Sequence, residues 1–132
     1  ARKGFRKLVS AVDLLEYPQG GLATTDKKVK EKPAQAKKVA RAMIQSLTAI
    51  REERDRTIAY IASRWKIDRD LAAESYDVMV KSFSRDGNAS AKSVQNIIDS
   101  TKTRLQIDKS ITVGDVIALA LLGEVQKELG VK

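Results

Sequence analysis

The stretch from Ala34 to Trp65 constrains this chain more than any other. Read at helical spacing, Val39, Met43, Leu47, Ile50, Ile58, Ile61 and Trp65 fall at steps of three and four, with one gap at Arg54. Polar residues fill the other faces. Such a stripe marks a helix that must bury one side against a neighbour. Pro33 suits the first helical position, where its missing N–H has no intrahelical partner to lose. The helix is expected to run to about Arg51. REERDR then interrupts the stripe, and Asp55 is a candidate cap for a second helix, Arg56 to Trp65. The segment holds neither Pro nor Gly, so one continuous helix stays open as an alternative.

Further helical patterns follow. Asp68 is placed to cap a helix whose apolar face is Leu71, Ala72, Tyr76, Met79 and Phe83. SRDGNAS, residues 84–90, is a loop with Gly87 at its tightest point. Ser90 is placed to cap a helix carrying Val94, Ile97, Ile98, Thr101 and Leu105. Thr112 and Asp115 form a capping-box-like pair, with Ile111 and Val116 at the staple positions. Gly130 is a natural stop. VIALALL, residues 116–122, is apolar on nearly every face and is expected to be the most buried helix or to face a partner.

The first residues read differently. Phe5 to Leu15 suit a short helix, and FRKLV could equally be a strand. YPQGG, residues 17–21, is a turn by composition, because Pro18 fixes φ and two glycines allow positive φ. GLATT, residues 21–25, suits a short extended segment. DKKVKEK, residues 26–32, is a solvated connector or a short helical turn. The expected fold is therefore mainly α: a helical bundle of four to five helices over 33–132, preceded by an N-terminal turn and short extended segment over 1–32.

Residue content narrows the chemistry. The chain has no cysteine and no histidine, which removes disulfides, thiolate and imidazole metal sites, and the usual general base. No loop alternates oxygen ligands around a turn glycine, so calcium is not indicated. Catalysis, a cofactor and a metal are not expected. The net charge of +8 is uneven: residues 1–40 hold ten Lys/Arg against four Asp/Glu, or +6, leaving +2 for the rest. A basic end can meet nucleic acid or an anionic surface. No aromatic residue interleaves with KKVKEK, however, and no helix-turn-helix pattern is recognisable, so a nucleic-acid-binding domain ranks well behind. The longest apolar run falls far short of the roughly twenty residues of a membrane span, and no signal peptide pattern is visible.

The order of these features is similar to that in solute-binding proteins of ABC importers, of the nitrate/sulfonate/taurine and thiamine-precursor type. That family tends to show a YP-x-x-GL turn, matched by Tyr17, Pro18, Gly21 and Leu22, and then a helix opening at a proline, matched by Pro33. Arg41, Ala42 and Ile50 fit the helix that follows. DRTIAYIASRWKIDRDLAAESYD resembles the next family segment. Phe83, Ser84, Asp86, Gly87 and Ser90 resemble its SPDG-x-xS loop, and the last helix its closing D-x-S-L-L-x-E-x-x-KELG. Two departures stand out. Lys32 replaces a frequent Asn, removing a helix cap, and Arg54-Asp55 replaces a frequent Asn-Pro, removing a helix break.

The resemblance covers nearly this whole chain but only the carboxy-terminal part of a family member. It implies the helical end of a type II periplasmic binding protein, non-catalytic, outside the cytoplasm, serving an ABC permease. The ligand class would be a small organic anion, a sulfonate or a thiamine-like precursor. It also implies that the chain, lacking the partner lobe, is not binding-competent alone. In the family the chain passes near the ligand at the YP-x-x-GL turn. Tyr17, Gln19, Gly20 and Gly21 are therefore the candidate ligand-binding residues, an aromatic ring beside backbone N–H groups left accessible by glycine.

Other candidates read more plainly as structure. Trp65 and Tyr76 could form a binding surface, yet at helical spacing they suit core or cover. Glu52, Glu53 and Asp55 could be an acid–base cluster, yet in an Arg-rich segment they suit surface. Lys27, Lys28, Lys30 and Lys32 could meet phosphate, yet they alternate with acids as a solvated face does. The alternative to the receptor is a small helical protein that self-associates as a homo-oligomer. On the receptor reading too the chain is expected to be a symmetric homodimer, by helix packing or swapping: without the upstream sheet VIALALL is uncovered, GLATT is an unpaired edge, and a straightened REERDR segment allows helix exchange between copies.

Overall fold

A computed structural model describes residues 4, 6, 8, 9, 14, 16–18 and 20–131. Among these the fold is mainly helical and contains no strand. GLATT lies outside any helix or strand, and of Phe5 to Leu15 only scattered positions are described. Seven α-helices follow: α1 (Asp26–Glu31), α2 (Pro33–Glu52), α3 (Arg54–Trp65), α4 (Arg69–Met79), α5 (Ala91–Leu105), α6 (Val113–Val116) and α7 (Leu119–Leu129), with a 3-10 turn at Val80–Ser82. No helix among the described residues is long and apolar enough to cross a membrane.

Most boundaries follow the capping chemistry of the sequence. The Asp68 carboxylate accepts from the Leu71 N–H at 2.8 Å, and the Ser90 hydroxyl from the Ser93 N–H at 3.1 Å. Thr112 and Asp115 form the reciprocal capping box. Gly130 ends α7 in the left-handed conformation. Lys32 gives α2 no side-chain cap. DKKVKEK is helical over α1, because Thr25 accepts from the Lys28 N–H.

Three expectations need correction. The cap of α3 is Glu53, not Asp55, which sits in the first turn and pairs with Arg69 at 3.1 Å. The closing helix is not continuous: Ile117 is extended (φ −123°, ψ 130°), so α6 is a single turn separate from α7. VIALALL is accordingly not the most buried segment, and Val116 and Leu119 are exposed. Trp65 and Val39 are also exposed, because Trp65 is the last residue of α3 and the buried line of α2 runs through Ile44 and Leu47 instead.

The chain divides into two compact units. The larger comprises 23–88 and 118–132, and here α3 packs on α4 and α2 on α7. Ile58, Ile61, Ala72 and Tyr76 form its buried cluster, flanked by Ile50, Ala62, Ile67, Ala73 and Val80. Ile44, Leu47 and Val125 are buried on α2 and α7. Lys37–Glu124 and Arg41–Glu128 ion pairs link the same two helices. The 83–88 loop is fastened to this unit from three directions. The Arg51 guanidinium donates to the Phe83 and Ser84 carbonyls, and the Gln126 amide donates to the Asp86 carbonyl at 3.0 Å. Gly87 (φ +79°) lies so close to Ile44 that a Cβ there would sit 3.0 Å from its Cγ1. Only glycine combines that conformation with that approach. The smaller unit comprises 1–22 and 89–117. Its α5 contacts α6 and buries Ser93, Val94 and Ile98.

Candidate functional site

The YPQGG segment belongs to the smaller unit, where α5 anchors its start; its described residues, Tyr17, Pro18, Gly20 and Gly21, show no turn or bend, so the turn expected from composition is not seen there. Glu16, just before the segment, is gripped twice by that helix. The Ser90 hydroxyl donates to Glu16 Oε1 at 2.6 Å, and Asn96 Nδ2 donates to the Glu16 carbonyl at 2.9 Å. Lys92 Nζ stands 3.8 Å from Glu16 Oε2. One turn beyond Asn96, Ser100 Oγ lies 3.3 Å from the Tyr17 hydroxyl. Ser90 thus serves two purposes, since its hydroxyl oxygen also caps the helix that carries Asn96 and Ser100.

Of the four sequence-derived site residues, three are described. Tyr17 is half-exposed, held by its hydroxyl with its ring in solvent. Gly20 and Gly21 are exposed, and a Cβ at either would meet open space. Neither takes positive φ, so no concave nest of N–H groups forms at this point. Gln19 lies outside the described residues. The described residues form an open segment, fixed at Glu16 and Tyr17. It can offer a phenol, a serine hydroxyl and backbone N–H groups to a polar ligand, with a lysine nearby.

Asn96, Ser100 and Lys92 were not singled out in the sequence. Their signal was weak but present: Lys92, Asn96 and Ser100 recur every four residues and so mark a polar line along α5 distinct from the Val94–Ile98 stripe.

The remaining candidates separate. Tyr76 is buried and Trp65 is exposed, so they do not form one surface. Glu52 is exposed, Glu53 pairs with Arg56 at 2.6 Å and Asp55 with Arg69. Lys27, Lys28, Lys30 and Lys32 are exposed at and after α1. No group of three or more acidic, histidine or cysteine side chains converges among the described residues. Two shallow depressions occur. One, of about 260 Å³, lies between α2 and the end of α7 and is lined by Ile44, Thr48, Glu52 and Leu129 among others. The other, about 380 Å³, lies at the end of α5 around Lys102, Gln106 and Asp108. Tyr17 lines neither.

Local hydrogen bonding perturbs three titrations. Asp86 is held below the ordinary carboxylate range by the Ser84 hydroxyl, helped by the Asn88 and Asp86 N–H groups. Asp115 is lowered by the Thr112 N–H and hydroxyl, the capping box itself. Lys37 is raised by its hydrogen bond to Glu124. All three mark structural fastenings. Comparison with known proteins finds no match to a family model, a curated protein or a solved structure.

Proposed function

We propose that this chain is the non-catalytic, helical part of an ABC-type solute-binding receptor for a small organic anion, a sulfonate or a thiamine-like precursor. On this reading it acts outside the cytoplasm and delivers its ligand to an ABC permease. The observation that carries the reading is the segment at Tyr17. It is anchored to α5 through Glu16, yet its aromatic ring and glycine backbone remain open. A cleft wall needs that combination of rigidity and access. The ordered run of family-like motifs over the helices supports the same reading, as does the structural use made of Asp68, Gly87, Ser90 and Gly130. One lobe's segment covers only one side of a ligand, so the 132-residue chain alone is not expected to bind tightly.

Two measurements test this. The coding sequence 5′ of the Ala1 codon should contain in-frame α/β segments. Calorimetry of the chain with taurine, nitrate and a thiamine-precursor pyrimidine should give no dissociation constant in the low micromolar range. A start codon directly before Ala1, or tight binding by the chain alone, contradicts the reading.

A second reading is a helical protein that self-associates. It is favoured by large apolar side chains left in water, among them Tyr60, Trp65, Val78 and Leu119. Light scattering that gives a 14.6 kDa monomer at high micromolar concentration contradicts it.

A further inference from the structure

The α2–α3 junction breaks where the sequence provides no breaker. Glu53 leaves the helical region (φ −102°, ψ 55°) between two helices, in a segment without Pro or Gly. Ending α2 at this point frees its last carbonyls, which must find other donors. The Tyr76 hydroxyl, carried in from α4, donates to the Ile50 carbonyl at 2.9 Å and lies 3.5 Å from the Arg51 carbonyl. Thr57 Oγ1 reaches the Ile50 carbonyl more weakly at 3.4 Å. In an unbroken helix the Ile50 and Arg51 carbonyls would instead accept from the Arg54 and Asp55 N–H groups. Tyr76 therefore satisfies, in place of the Arg54 N–H, the Ile50 carbonyl that a continuous helix would use. Its position is secured as well: it is buried in the Ile58–Ile61–Ala72 cluster, and the Arg54 guanidinium stands 5.5 Å over its ring while pairing with Asp77.

We propose that the Tyr76 hydroxyl is the latch of a hinge at Glu53. Released, α2 and α3 fuse into one helix over Pro33–Trp65, about 50 Å long at 1.5 Å per residue. In that form α2 and α3 can no longer belong to one folded unit with their original neighbours. The α2 face that holds Ile44 and Leu47 pairs with α7 of a second copy of the chain, while α3 keeps its short connection to α4. The occupant of the opened face is the same sequence, so the α2–α7 packing of the closed unit, with its Lys37–Glu124 and Arg41–Glu128 pairs, is remade between copies.

The test compares the wild-type chain, Tyr76→Phe, Arg54→Pro and the double variant. Each is refolded from urea at high protein concentration and sized by chromatography with light scattering. Phenylalanine keeps the buried ring and removes only the donor. Proline at position 54 fits the first turn of α3 but cannot continue a fused helix. The proposal expects a dimer fraction in Tyr76→Phe about tenfold above wild type, the scale on which one buried hydrogen bond moves an equilibrium. It also expects the dimer to vanish in the double variant. Loss of packing alone would not be reversed by adding a proline. A Tyr76→Phe chain as monomeric as wild type, or a dimer that survives Arg54→Pro, overturns the proposal. If Tyr76→Phe loses its helical circular dichroism, the wild-type and Arg54→Pro pair decides. A refolded dimer confined to wild type supports the latch, and equal behaviour of the two overturns it.

Discussion

Two breaks in the helical pattern, at Glu53 and at Ile117–Ala118, have no proline or glycine at the break, and they are made differently. At Ile117 the means are local. α6 is one turn closed by the Thr112–Asp115 box, and the chain then leaves in extended conformation after the Ile117 N–H reaches the Val113 carbonyl at 3.2 Å. At Glu53 the means are remote, because the carbonyls freed there are satisfied by a hydroxyl on another helix. The surroundings differ accordingly. Ile58 and Tyr76 are buried beside the first break, whereas Val116 and Leu119 flank the second in solvent. Total hydrophobicity did not decide burial: VIALALL is the most apolar run of the chain, yet the one-sided stripes of α3 and α4 make the core. A helix buries the face that a neighbour can cover, and residues on its other faces stay wet whatever their type.

The largest expected contrast lies in burial itself. Leu47→Asp and Ile98→Asp should each unfold the chain or nearly so. An unpaired buried charge costs several kcal/mol against a total of about 5–15 kcal/mol. Leu119→Asp, beside the second break, should change stability by no more than about 0.5 kcal/mol. Thermal melts followed by circular dichroism check all three. Equal losses would mean that the two regions are equally buried.

Next come the breaks. Tyr76→Phe should destabilise by about 1–3 kcal/mol, because it leaves the part-buried Ile50 carbonyl with only the long contact from Thr57 Oγ1. Thr112→Ala, which removes a local cap, should cost about 1 kcal/mol. Urea titrations separate the two. The glycines give a contrast of opposite sign. Gly87→Ala should destabilise by about 1–2 kcal/mol, through positive φ and the approach to Ile44. Gly123→Ala, within α7 and facing open space, should stabilise by about 0.5–1 kcal/mol.

The smallest effect is on acid stability. Asp86 and Asp115 are lowered in the fold relative to the unfolded chain. Their stabilisation is therefore fully present above the ordinary carboxylate range of about 4 and is lost as the pH falls through the lower, folded values. Asp86→Asn should flatten the decline in melting temperature between about pH 4 and pH 2. A decline as steep as that of wild type would show that the Ser84 hydroxyl does not favour the ionised form.

Much of the fold was legible because its signals are local. Asp68, Ser90, Thr112 and Gly130 each end a helix by hydrogen bonds or a conformation reaching only a few residues, and the stripes at Leu47, Ile58, Ala72 and Ile98 need only a period. What was not legible depends on partners far along the chain. The carbonyl freed at the Glu53 break is met by Tyr76, twenty-six residues on. The burial of Ile44 rather than Val39 depends on where α7 lies. The anchoring of the Tyr17 segment requires Asn96 and Ser100, some eighty residues on. At this segment the sequence could point to Tyr17, Gly20 and Gly21 as accessible groups, but not to the α5 side chains that hold Glu16 and Tyr17.

The account rests most on the claim that the Glu53 break is imposed from a distance by Tyr76. Backbone ¹³C chemical shifts test it directly. In the wild-type chain, Glu53 should show non-helical shifts between two helical runs. In Tyr76→Phe, its shifts should move toward helical values while those of Ile117, at the locally made break, stay where they are. Helical shifts at Glu53 in the wild type, or shifts at Glu53 that do not respond to the loss of the Tyr76 hydroxyl, would contradict the account.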